Sequence, residues 1–236
     1  MTIVKTSLKL KSILALSLAG IISSCADAPK KTEASEEVVE EVETMEDESM
    51  DDSYFMMPSP IQIAAMFNRA GLKYEGGITN PTSNISNYNT KTARFLNFGV
   101  YSADLAYAVL NSERQASLDY IKVVRELSDQ IGMPGIFDGA NLLTSFEKNI
   151  DNQDSILFIL TTIKLRTDDY LAENNDESKE AVFFAAAWVE GMYLGSKSAT
   201  TESSITARIV EQMSILSNVI GALKNQDDES LELTYL

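Results

Sequence analysis

Apolar side chains recur every three to four positions along most of the chain beyond residue 60. Ile205, Ile209, Met213, Leu216, Ile220 and Leu223 fall on one stripe of an α-helix. Ile156, Ile159, Leu160 and Ile163 do the same, as do Leu118, Ile121, Val124, Leu127 and Ile131. No two-residue alternation is long enough to be a strand. The pattern predicts helices over 61–70, 90–110, 113–131, 140–149, 153–172, 178–196 and 203–223. Gly71 and Gly132 follow periodic runs where a helix-ending glycine belongs, Pro134 comes two residues after Gly132, and Ser112-Glu113-Arg114-Gln115 reads as a capping box. The expected fold class is all-α, a helical bundle of six or seven helices. The longest gap in the pattern, 75–89, holds Gly76, Gly77, Pro81, Asn80, Asn84, Asn87 and Asn89 and reads as a long structureless loop. Such loops in compact domains are functional or mobile.

Two places in this domain echo each other. Residues 126–132 align with 215–221, and Phe98, Gly99, Asp104 and Tyr107 align with Phe184, Ala185, Glu190 and Tyr193. If the echo is a duplication, each half is an antiparallel helix pair, and the 140–172 segment joins the two.

The first 24 residues break the helical pattern differently. Lys5, Lys9 and Lys11, with no acid among them, precede the apolar run 13–22, interrupted only by Ser17 and Gly20. A membrane-spanning helix needs roughly 20 apolar residues, so the run is too short to span and reads as a cleaved secretion signal. It ends in Ile22-Ser23-Ser24-Cys25, directly ahead of the only cysteine. This resembles the lipobox of bacterial lipoproteins. The resemblance implies transfer of diacylglycerol to the Cys25 sulfur, cleavage before Cys25 and acylation of the new N-terminus, so that Cys25 is the lipidation site and the membrane is reached through its lipid. Several acyl chains make such attachment effectively permanent. Ala26 follows Cys25 and Asp27 comes only after it, so the inner-membrane retention signal of enterobacterial lipoproteins is absent and an outer-membrane, lipid-anchored location is expected, facing periplasm or surface. The plainer reading of Cys25 is an unmodified thiol near a ragged end.

Charge separates the next segment from the rest. Between 26 and 53 twelve acids stand against Lys30 and Lys31, with few large apolar residues, Val38, Val39, Val42 and Met45 among them. Like charges and so little apolar surface predict a disordered tether over 25–53, with an acidic docking arm or calcium-binding tract as the alternative. The remainder, 54–236, has the length of one domain and needs no metal or disulfide to fold. Met56-Met57-Pro58 reads as a staple at its start.

Composition closes several functional classes. The chain has 35 acids against 19 bases, a formal charge of −16, no histidine and one cysteine. Without histidine there is no Ser-His-Asp or Cys-His pair, no His-bearing zinc site and no imidazole base. One cysteine forbids an internal disulfide, a CxxC pair or a thiolate cluster. Nucleic acid is excluded as a partner because phosphate binding needs clustered Lys and Arg. Gly76-Gly77 is not a phosphate loop, since no strand precedes it and no Lys-Ser/Thr follows.

Chemistry remains conceivable at two acids in apolar helical settings, Asp104 among Ala103, Leu105 and Ala106, and Glu190 among Val189, Gly191 and Met192. The i, i+3 spacing sets Tyr107 beside Asp104 and Tyr193 beside Glu190. If the two halves are symmetric, the carboxylates can meet across a core, split their pKa values and act as acid and base or hold a hard cation. The plainer reading is that each acid takes hydrogen bonds from tyrosine hydroxyls, backbone N–H groups or an arginine such as Arg94 or Arg125. A single Asp and Glu make a poor calcium cage, and the Glu-x-x-His of di-iron bundles cannot be built. Asp168-Asp169 and Asp227-Asp228-Glu229 look like solvated helix ends. Tyr101, Tyr107, Trp188 and Tyr193 could line a ligand groove, although rings at helical spacing are more often core.

The stretches 95–107 and 188–194 resemble a group of secreted lipoproteins of the Bacteroidota whose activity is undefined. That resemblance implies fold and compartment over 93–223 and transfers no ligand or catalytic residue. The sequence therefore predicts a non-catalytic envelope module with an envelope-protein partner, no cofactor and no metal. The alternative is a ligand- or metal-binding protein, or a carboxylate enzyme, with its site near Asp104 and Glu190.

Overall fold

A computed structural model describes residues 58–137, 141–174, 178–201 and 203–224. The lipobox with Cys25, the acidic segment, the Met56-Met57 half of the staple and Asp227-Asp228-Glu229 lie outside the described residues. Every regular element among the described residues is helical, as the periodicity requires: α1 (Pro60–Arg69), α2 (Lys91–Leu110), α3 (Arg114–Gln130), α4 (Leu142–Lys148), α5 (Gln153–Glu173), α6 (Ser178–Lys197), α7 (Ser204–Met213) and α8 (Leu216–Lys224), with 3₁₀ turns at Thr82–Asn87 and Pro134–Ile136. No described helix is long and apolar enough to cross a membrane.

Local chemistry fixes the ends. Ser59 and Gln62 form a reciprocal capping box on α1, with Pro60 at its first turn. Thr90, Asn152 and Ser203 cap α2, α5 and α7 by accepting from a backbone N–H three residues on. The predicted box at Ser112 does not form. Ser112 takes a left-handed conformation, φ +60°, to turn the chain between α2 and α3, and Glu113 starts α3 without a side-chain cap.

The last predicted helix, 203–223, is two helices. At Ser214 and Ile215 the backbone bonds shift to i→i−3, and the Ser214 hydroxyl donates to the Glu211 carbonyl. The break changes the phase of the apolar stripe: Val219 becomes the buried residue of α8, while Met213 and Ile220 are turned out, 48% and 42% exposed. The single stripe read from the sequence crosses a turn that it does not reveal.

The core is organised around α2. On one side α2 pairs with α3 through a three-residue turn, antiparallel, with Tyr101 beside Tyr120; Leu105, Ile121, Val124 and Leu127 join Ile156, Ile159 and Ile163 of α5 in the larger apolar cluster. On the other side α2 packs most extensively on α6. Phe98 packs on Phe183 with tilted rings 5.3 Å apart, and farther along both helices Asp104 faces Glu190, so α2 and α6 run parallel. A Cβ at Gly99 would lie 2.2 Å from the Phe183 carbonyl oxygen, and only glycine permits this approach. Gly191 and Gly195 similarly admit Ile63 and Phe67 of α1, whose cluster includes Trp188, Ile205 and Val219.

The echoed motifs therefore meet in part. Phe98 and Phe184 are both buried and Asp104 faces Glu190, but Tyr107 is buried where Tyr193 is exposed, and Ser128 is buried where Ser217 is exposed. The two halves do not pack equivalently.

Candidate functional site

Asp104 is entirely buried at the level where α2, α3 and α6 meet the 72–90 segment. That segment is not structureless. It is pinned along its length to helix side chains: the Tyr107 hydroxyl donates to the Lys73 carbonyl at 2.7 Å and accepts from the Glu75 N–H, and the Tyr101 hydroxyl donates to the Pro81 carbonyl at 2.7 Å. From α3, the Tyr120 hydroxyl lies 2.6 Å from Thr79 Oγ1 and 3.3 Å from the Asn80 carbonyl oxygen. The asparagines serve the same end, Asn80 Nδ2 donating to the Tyr88 hydroxyl and Asn84 Nδ2 to Asn80 Oδ1. A loop with so many asparagines does not satisfy its own buried backbone groups, and buried phenols do so instead.

Beneath this roof Asp104 Oδ2 accepts the Asn80 N–H at 3.1 Å. Asp104 Oδ1 is buried and receives no N–H or O–H from the groups around it. Its neighbour is the half-buried Glu190 carboxyl of α6. Two carboxyls facing each other away from water disfavour a second negative charge. Burial, and then the Glu190 charge, push the Asp104 carboxyl far above the ordinary range, against the weaker effect of the Asn80 N–H. Burial also raises Glu190, and the Asp104 carboxyl beside it opposes the rise. The pair titrates as one unit and holds a proton at neutral pH. Burial raises Tyr120 to about 12 and Tyr101 further, so the surrounding phenols stay neutral.

No match to a known protein family, a curated protein or a solved structure accompanies this geometry.

Of the residues singled out by sequence, Asp104 and Glu190 come together. Tyr107 borders the same roof, but its hydroxyl goes to the loop backbone and its ring stacks on Tyr74 at 5.2 Å. Tyr193 lies on the outer face of α6, 40% exposed, with the Lys197 ammonium 4.6 Å from its ring centre. The arginines expected as partners are elsewhere: Arg94 Nε donates to the Tyr88 carbonyl, and Arg125 is exposed on α3. Trp188 is core and donates to Gln212. Asp168 pairs with Lys164 at a partly exposed stretch of α5. Asn80, Thr79 and Tyr120 were not foreseen. The asparagine-rich loop pointed at the first, and nothing in the spacing pointed at Tyr120.

The arrangement has little room for a substrate. The main cavities lie away from the pair. One of about 160 Å³ is lined by Val109, Ser112, Arg114, Ser117, Asp151 and neighbours, and a smaller apolar groove runs between Phe98, Leu105, Ile163 and Phe183. No group of three or more metal-ligating acids, cysteines or histidines occurs among the described residues.

Proposed function

We propose that this chain is a lipid-anchored module of a bacterial cell envelope, attached through Cys25, held off the membrane by its acidic tether, and binding an envelope protein without catalysis. The observation that carries the binding role is the outward display of large apolar side chains on the outer helices. Phe158 and Val210 are 65% and 66% exposed, and Val189, Met213 and Ile220 also face solvent. Single exposed apolar residues are ordinary, but Val189 with Tyr193 on α6 and Val210 with Met213 on α7 are one-turn pairs on helices that pack together. The anchor and compartment rest on the lipobox resemblance, and the outer membrane is the expected site, with the helical domain in the periplasm or at the surface.

Native mass spectrometry of the protein gently extracted from its own membrane tests this reading. It predicts a chain beginning at Cys25 with acyl mass and a bound protein subunit, and loss of that subunit when Val189 and Val210 are both changed to glutamate. An intact leader without lipid, or a subunit unaffected by those changes, would overturn it. A second reading is favoured by the orphaned Asp104 Oδ1, namely a small ligand or cation held at the acid pair. It predicts a small adduct in the same spectrum that Asp104→Asn removes.

A further inference from the structure

The cavity of about 160 Å³ stands at the corner where α2 turns into α3 and the 149–152 turn leads into α5. Its floor is apolar, made by Val109 at the end of α2, Ile156 of α5 and the half-buried Ile150. An apolar cavity of about 150 Å³ takes up benzene, so a branched side chain of about four carbons fits on this floor. Ser117, fully buried, joins the lining with its hydroxyl donating to the Glu113 carbonyl at 2.8 Å. Its oxygen is thereby left to accept from a donor in the cavity.

The mouth carries one charge of each sign. Arg114 Nη1 donates to Asp151 Oδ2 at 2.6 Å, and both side chains are mostly exposed. That single bond leaves most of the guanidinium donors, and the second carboxylate oxygen, with capacity for other groups. An exposed pair contributes little to stability, so a ligand that inserts into it gives up little. Glu113 and Asp154 stand next in sequence to Arg114 and Gln153, so a plain anion meets repulsion here that a neutral zwitterion does not. Ser112 is held at φ +60° in the lining, one of two non-glycine residues with positive φ among the described residues. Glycine would make that turn without strain, and a strained residue kept beside a cavity points to a use for its side chain.

We propose that this cavity binds a small zwitterion, a free α-amino acid with a branched aliphatic side chain. Its carboxylate sits on the Arg114 guanidinium, its ammonium donates to Asp151 and to Ser117 Oγ, and its side chain rests on Val109, Ile150 and Ile156. Insertion parts the Arg114–Asp151 bond and replaces it with two charge-assisted ones. The Ser112 hydroxyl and the Gln153 amide complete the rim. None of the lining residues belongs to α6 or α7, so the site does not rest on the envelope-partner reading.

Methyl NMR of the full chain, with Val109, Ile150 and Ile156 as reporters and L-leucine as the probe, tests the site. L-leucine should shift those methyl signals saturably and leave the Val189 and Val210 methyls in place. Isocaproate, which lacks the ammonium, and isoamylamine, which lacks the carboxylate, should each bind at least tenfold more weakly. Arg114→Gln and Asp151→Asn, at exposed positions where the fold tolerates change, should each weaken L-leucine by at least tenfold. Absence of shifts at the three reporters, equal affinity for L-leucine and isocaproate, or variants that bind L-leucine as the parent does would overturn the proposal.

Discussion

Asp104 of α2, entirely buried, faces Glu190 of α6 between two parallel helices, and burial and then the Glu190 charge push its carboxyl far above the ordinary range. An acid pair in an apolar interface is costly when ionised and acceptable when one member is neutral. Its placement makes the stability of the helical domain a function of pH.

The sign of that dependence follows from the raised pKa values. In the unfolded chain both carboxyls titrate near 4. Folded, Glu190 is raised to about 7 and Asp104 to about 9. Between the unfolded and folded values the folded state keeps a proton that the unfolded state has released, so the contribution is fully present below about pH 4 and is lost as pH rises towards 9. Urea unfolding at pH 5, 7 and 9 should show stability falling with pH by up to about 1.4 kcal/mol per unit for each proton. Asp104→Asn should flatten the slope, and the difference between parent and variant isolates the pair from the many surface acids.

Gly99 lets α2 approach α6 closely at Phe183, Ala186 and Ala187. Gly99→Ala places a methyl group against the Phe183 backbone carbonyl, which cannot move aside as a side-chain tip can. A loss of about 1–3 kcal/mol or more is expected, read as a lowered urea midpoint. Gly221 in α8 is the control: nothing lies within 4 Å of its missing Cβ, so Gly221→Ala should raise stability by roughly 0.5–1 kcal/mol through helix propensity alone.

The capping box of α1 should behave as a local device. Ser59→Ala removes the acceptor of the Gln62 N–H and leaves Gln62 Oε1 bonded to the residue 59 N–H. A cost of about 1 kcal/mol is expected in thermal melts, with an unchanged pH slope, because the cap lies away from the acid pair.

Surface apolar positions should separate binding from folding. Val210→Glu, at a site 66% exposed, should leave the unfolding midpoint within about 0.5 kcal/mol of the parent. Leu127→Ala, fully buried in α3, should cost about 2–5 kcal/mol. Equal costs at the two positions would mean that Val210 is covered.

Much of this was legible in the sequence, and the reasons are physical. A 3.6-residue period over long stretches carries its own helix, so α2, α3, α5 and α6 fall within a few residues of expectation. Their echoed settings offered Asp104 and Glu190 as a pair only on the condition that the two halves were symmetric. Symmetry was a partial guide only, since Tyr107 and Tyr193 occupy matching positions and opposite environments. The break at Ser214 escaped notice because a single 3₁₀ turn leaves the apolar spacing looking continuous. The order of the 72–90 segment was hidden because long-range hydroxyl contacts, from Tyr101, Tyr107 and Tyr120, supply it. Local propensity sees asparagine, glycine and proline there, and not the phenols that satisfy them.

The retained proton is the claim on which the rest turns, and a carbon-13 NMR titration of the Asp104 and Glu190 side-chain carboxyls tests it most directly. The account predicts that at pH 7 the pair retains a proton and that Asp104 completes its ionisation only well above neutrality, with both signals moving together. Two independent carboxyls, each fully ionised by pH 6, would contradict it.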